Sequence, residues 1–195
     1  MMKVKHGKLP DDVYEYIKEV ACHLLVQFNV RCMPISGFEI ANKMSIILVP
    51  YSSLSPDKLK WAYKISPDGF YYEDNENEFG VEKIYYNDID WSYEKLNMTI
   101  LHEIGHCVLD HTGENPDREE DEAKFFAKYM IAPPVLVDKI DPTCPEDIMN
   151  FFDVTFEAAN YAYDYYHCWK RFHYAYGDYT SYERKLLRLY RSFSA

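Results

Sequence analysis

An α+β domain is what this 195-residue sequence predicts, on three observations. Apolar residues spaced by three and four open the chain, short β-prone runs follow over residues 30–87, and helical spacing returns from Ser92 onward. A helix, a small sheet and then helices give an α+β order, with the sheet mainly antiparallel. The length suits one domain, and aromatics at 17%, including 19 Tyr, supply enough apolar surface to close a core.

The elements read as follows. Asp11 or Asp12 caps a first helix through about Phe28, because Val13, Ile17, Val20, Ala21, Leu24, Leu25 and Phe28 share a stripe. Val30–Met33, Met44–Val49, Phe70–Tyr72 and Val81–Tyr86 are strand candidates. The turn Pro67-Asp68-Gly69 and a loop over Asn75–Gly80 bracket a hairpin. Ser55-Pro56-Asp57 starts a short helix to about Tyr63, with proline at its first position. Leu96, Ile100, Leu101, Ile104, Val108 and Leu109 line one side of a helix over Tyr93–Asp110, and Gly113 is a plausible stop. Helices over Arg118–Ile131, ended by Pro133-Pro134, then Pro145–Phe152, Thr155 to about Tyr174 and Ser181–Phe193 complete the chain.

Composition removes several classes of function. The formal net charge of -11 leaves no broad basic face for phosphates or anionic lipid. No run approaches the roughly 18 apolar residues of a membrane span, and Met1–Pro10 has no apolar signal core, so the expectation is a soluble cytoplasmic protein. Five widely spaced cysteines, with no C-x-x-C pair, fit free thiols in a reducing compartment.

The segment that carries chemistry is Leu101-His102-Glu103-Ile104-Gly105-His106. On a helix, His102 and His106 stand one turn apart on one face, so both imidazoles can grip one divalent ion while Glu103 reaches the water beside it. Zn²⁺, or another divalent ion such as Mn²⁺, is the expected cofactor. It would lower the pKa of a bound water and polarise a peptide carbonyl, with Glu103 as general base passing the proton to the leaving amine. A catalytic zinc wants a third protein ligand. His111 lies about 180° round an ideal helix from His102. The extended metzincin pattern also fails, needing glycine at position 109 and histidine at position 112, where the chain has Leu109 and Thr112. The following helix offers Glu119, Glu120, Asp121 and Glu122, and periodicity does not choose among them.

His102-Glu103-Ile104-Gly105-His106-Cys107-Val108-Leu109-Asp110-His111, with Glu122-Ala123-Lys124-Phe125-Phe126-Ala127 and Ala132-Pro133 after it, resembles the ImmA/IrrE family of metallopeptidases. The likeness extends to Ile84-Tyr85-Tyr86-Asn87, to Thr99 and to Phe152–Ala159, covering roughly residues 81–165. It implies a zincin-like core in which Glu122 is the third metal ligand beside His102 and His106, and Glu103 the general base. Lys124 stands where the family has Asn, and Lys95 and Asn97 where basic residues usually precede the motif. The chain is expected to organise as residues 1–140, a metallopeptidase domain, and 141–195, a helical extension on the same core. The activity that the resemblance implies is cleavage of a helix-turn-helix transcriptional repressor, as in phages, mobile elements and stress responses. An acidic enzyme suits a basic DNA-binding substrate.

Two other readings compete. Ile148–Tyr163 has a helix-turn-helix outline, but Glu157 and Asp164 with no basic residue before Lys170 make a poor phosphate contact. A metal-holding binding protein or toxin-antitoxin partner without proteolysis is the second. Near the C-terminus, Arg184, Lys185, Arg188 and Arg191 oppose an apolar side of Leu186, Leu189, Tyr190 and Phe193, which reads as a helix docked on its own domain. The aromatic run Tyr161–Tyr179 before it reads mainly as core packing.

Overall fold

A computed structural model describes residues 9–74, 80–89, 91–176 and 179–191. Most of the 75–80 loop, the first eight residues behind the expectation of an unexported start, and Phe193 at the expected end of the last helix lie outside them.

The first helix, α1 (Asp11–Gln27), follows Pro10, and Asp11 and Asp12 sit in its first turn rather than capping it. There their charges face the positive end of the helix dipole. Ile17, Ala21, Leu24 and Leu25 are its buried face. The strand expected at Val30–Met33 does not form. Asn29 turns through φ 50°, Val30 is buried as a single residue, and the segment leads into a helix absent from the expectations, α2 (Gly37–Lys43). Ser36 caps that helix by accepting from the Glu39 N–H, a local bond that outcompetes an unpaired strand. Asn97 anchors its start, accepting from Gly37 N at 2.6 Å and donating to Ile35 O at 2.9 Å.

Three strands follow: β1 (Ile47–Pro50), β2 (Gly69–Asp74) and β3 (Val81–Tyr86), in the order β1-β3-β2. Between the first two lies α3 (Pro56–Ile65), with proline at its first turn as expected. β2 and β3 pair antiparallel, Tyr71 opposite Ile84, as the expected hairpin. The other pairing, β1 with β3, is parallel, so the sheet is mixed rather than mostly antiparallel. The physical reason is that α3 carries the chain past the neighbouring position to the far edge, so β3, turning back from β2, fills the gap beside β1 and runs parallel to it.

The two helices that build the site come next. α4 (Tyr93–Val108) ends two residues before the expected Asp110, and α5 (Pro116–Ile131) begins two residues before Arg118, with Pro116 in its first turn. α4 lies close to β2, since a Cβ on Gly69 would sit 2.9 Å from Thr99 Cγ2 and 2.8 Å from Tyr85 O. It crosses α5 at Gly105, where a Cβ would meet Phe126 Cδ1 at 3.0 Å and Ala123 Cα at 3.3 Å.

Beyond them are α6 (Pro134–Val137), which the proline pair hid from the sequence reading, then α7 (Pro145–Phe152), α8 (Phe156–Tyr176) and α9 (Ser181–Leu189). α7 ends at Asp153, whose φ of 49° turns the chain into α8. Ile17, Leu25, Ile100, Phe126 and Val135 share one core with Phe152, Tyr166, Tyr182 and Leu186, so residues 1–140 and 141–195 are not separate hydrophobic units. Within the aromatic run, Tyr166 crosses this boundary by donating to Asp138 at 2.9 Å, while Trp169 Nε1 donates to Glu183 of α9 at 2.7 Å. α9 buries Tyr182 and Leu186 while Arg184, Lys185 and Arg188 face water. All five cysteines are free, Cys22 and Cys168 buried, and no helix among the described residues is long and apolar enough to cross a membrane.

Candidate metal centre

Because α4 is apolar on its inner side, His102 and His106 emerge together at the edge of that face, with Glu103 turned inward. The two Nε2 atoms lie 3.1 Å apart. Glu120, one of the four acidic candidates of α5, brings one carboxylate oxygen to 3.3 Å from His106 Nε2 and the other to 3.6 Å from His102 Nε2. The three residues place their donor atoms within 4.8 Å of one another. The close crossing at Gly105 is what delivers Glu120 there.

Glu122, the third ligand implied by the resemblance, is not in this group. Two residues further along α5 it points about 200° away from Glu120. Its Oε2 lies 3.0 Å from His111 Nε2, and its Oε1 accepts from Arg118 Nε at 2.7 Å. Glu119 serves the loop before α5, accepting from Gly113 N at 2.9 Å and Asn115 N at 3.4 Å. His111 comes within reach of His106, Nδ1 to Nδ1, at 2.9 Å. A straight helix forbids that contact. The helix stops at Val108, however, and the positive φ of Asp110, 56°, folds His111 back, so that its N–H bonds His106 O at 3.1 Å. The sequence signal for this was the helix stop itself, placed too late by the reading that set His111 aside.

Electrostatics suit a cation. Burial lowers the His102 imidazole, against the opposing pull of Glu120. Burial, together with His102 and His111, pushes His106 down to about 4. Both shifts favour the neutral form of the ring, the one that offers a lone pair to an ion. Glu120 is held below the usual carboxylate range despite partial burial, by His102, Lys124 and His106. Lys124 pairs with Glu120 at 3.3 Å. Two imidazoles and one carboxylate are ligand types that hold divalent metal ions.

Glu103 is only 7% exposed and stands beside this group in the same cleft, a volume of about 650 Å³. Burial raises its carboxyl to about 8; the Tyr71 N–H, donating to Oε2 at 2.8 Å, opposes that rise, and the charges of Glu120 and Asp68 add to it. Nothing in the sequence pointed to Tyr71, since the contact is made by its backbone and joins β2 to α4 across 32 residues. The cleft is also lined by the apolar side chains of Ile65, Phe70 and Met98, and by Thr99.

Compared with known proteins, the chain matches no family model and no curated protein.

Proposed function

We propose that this chain is a metal-dependent endopeptidase with a zincin-like core, holding its ion on His102, His106 and Glu120 and using Glu103 as general base. The observation that carries this reading is the convergence of three cation-type donors on one point, beside a buried carboxylate in an open cleft. A divalent ion bound there supplies Lewis acidity, polarising a carbonyl and acidifying a water. Glu103 takes the proton of the attacking water and hands it to the departing amine, and its raised affinity for a proton near neutral pH suits both halves of that task. The Tyr71 N–H keeps the carboxylate aimed into the cleft, and the wall of Ile65, Phe70 and Met98 receives apolar side chains of the bound peptide.

The proposed substrate is a helix-turn-helix repressor, which rests on the ImmA/IrrE resemblance and on the acidity of the chain. The Ile148–Tyr163 segment is proposed as scaffold instead of a DNA reader, because Ile148, Phe152 and Ala159 are spent in the core.

The test first looks in the genomic neighbourhood for a helix-turn-helix regulator and then pairs it with the purified protein, loaded with Zn²⁺ or Mn²⁺. Cleavage at a single site is expected, and Glu103→Gln lowers the rate by about 10²–10⁴-fold while leaving ion content intact. A regulator that stays whole with loaded wild-type protein sinks the proteolytic reading. A biological effect that survives Glu103→Gln would favour the non-proteolytic binding role.

A further inference from the structure

His111 and Glu122 remain outside the proposed ligand set, yet they are among its most enclosed polar neighbours, with side chains 5% and 13% exposed. Resting on the reading that His102, His106 and Glu120 hold an ion, we propose that His106, His111 and Glu122 form a relay of hydrogen bonds that fixes His106 for metal binding. His111 and Glu122 are positioning residues in this scheme, touching neither ion nor substrate.

The assignment of protons follows from counting donors. A carboxylate only accepts, so the 3.0 Å contact of Glu122 Oε2 with His111 Nε2 requires the proton on that nitrogen. In the relay this is the one ring proton His111 carries, so its Nδ1 is bare. The 2.9 Å contact between the two Nδ1 atoms therefore needs its proton on His106 Nδ1. That leaves His106 Nε2 with a lone pair, and this is the nitrogen 3.1 Å from His102 Nε2 and 3.3 Å from Glu120. The wiring thus selects the tautomer a metal ligand must have. An isolated imidazole prefers the other one, with the proton on Nε2.

The supports of the relay are local. Arg118 holds the second oxygen of Glu122 at 2.7 Å, and the His111 backbone is tied to His106 O at 3.1 Å. The two rings meet edge to face, centroids 4.9 Å apart at 74°, so His111 packs directly against the His106 ring. Metal-bound histidines commonly donate their second nitrogen to a carboxylate or carbonyl, and losing that partner weakens binding by about 10–100-fold. Here a second imidazole stands between.

Two measurements on the full chain test this, neither of them activity. Two-bond ¹H–¹⁵N imidazole spectra of the metal-free protein at pH 8 should show His106 protonated on Nδ1, and Glu122→Ala and His111→Leu should return it to the Nε2 form. Zn²⁺ titration against a chelator should show affinity about 10–100-fold weaker in both variants at unchanged stoichiometry. His102→Ala and Glu120→Ala should abolish uptake. The variants break different links, so either one that folds by circular dichroism suffices. Wild-type His106 protonated on Nε2, or unchanged tautomer and affinity in the variants, overturns the relay. Complete loss of ion in Glu122→Ala also overturns it, by making Glu122 a ligand. Failure of the wild-type protein to take up Zn²⁺ would instead defeat the metal reading, and the spectra would still decide the wiring.

Discussion

At the scale of single residues, Gly105 sets the geometry of the site more than any ligand does. It lies between the two histidines of the motif, and its lack of a side chain lets the backbone of Ala123 approach α4. Gly105→Ala would put a methyl 3.0 Å from Phe126 Cδ1 and 3.3 Å from Ala123 Cα, a backbone atom that cannot swing aside. We expect a loss of about 1–3 kcal/mol in a urea titration, the range for overpacking a dense core. The same change should weaken Zn²⁺ uptake, since Glu120 travels with α5. The motif residues were legible in the sequence because i,i+4 spacing on an apolar helix has one geometric meaning. The choice among Glu119, Glu120, Asp121 and Glu122 was not, because it depends on how α5 rotates against Gly105, a tertiary quantity.

At the scale of elements, legibility followed the length of the periodic signal. α1, α4, α7 and α8 carry two or more turns of apolar repeat and formed within a few residues of expectation. α2 spans only Gly37–Lys43, and its seven residues hold too few apolar positions to show a period, so its signal was the Ser36 cap. β1 turned parallel because pairing partners are decided by connections, not by the strand's own residues. α9 offers a test of how elements dock. Tyr182 donates to Glu15 on α1, and Glu15 stays below the usual carboxylate range: burial raises it, but this bond and the Lys18 charge outweigh burial. A lowered folded value means the contribution is present above the ordinary Glu value near 4.3 and is lost as pH falls through the lowered one. Tyr182→Phe should therefore cost about 1 kcal/mol at pH 7, trimmed by the half-exposure of Glu15. The gap in Tm between wild type and variant should close in acid. A gap that persists at the lowest pH where the chain still folds would exclude the ionised pair as its source.

At the scale of the whole molecule, the shared core ties the C-terminal helices to the metal centre. Leu186 is fully buried on α9 and belongs to the same cluster as Ile100 and Ile104 of the motif helix. Leu186→Ala should cost about 2–5 kcal/mol, and calorimetry should show one transition moving as a unit; two separable transitions would mean that 141–195 folds apart from 1–140. The sheet adds a different kind of consequence. β2 is an edge strand, and open edges are templates on which a second chain can pair. Its Tyr71 N–H is taken by Glu103, so the proposed general base also stoppers that edge. Glu103→Gln keeps an oxygen for this amide; Glu103→Ala leaves it bare. Sedimentation at rising concentration should find the alanine form self-associating where the glutamine form stays dispersed, a colloidal cost that would ride along unnoticed in any activity assay of that variant.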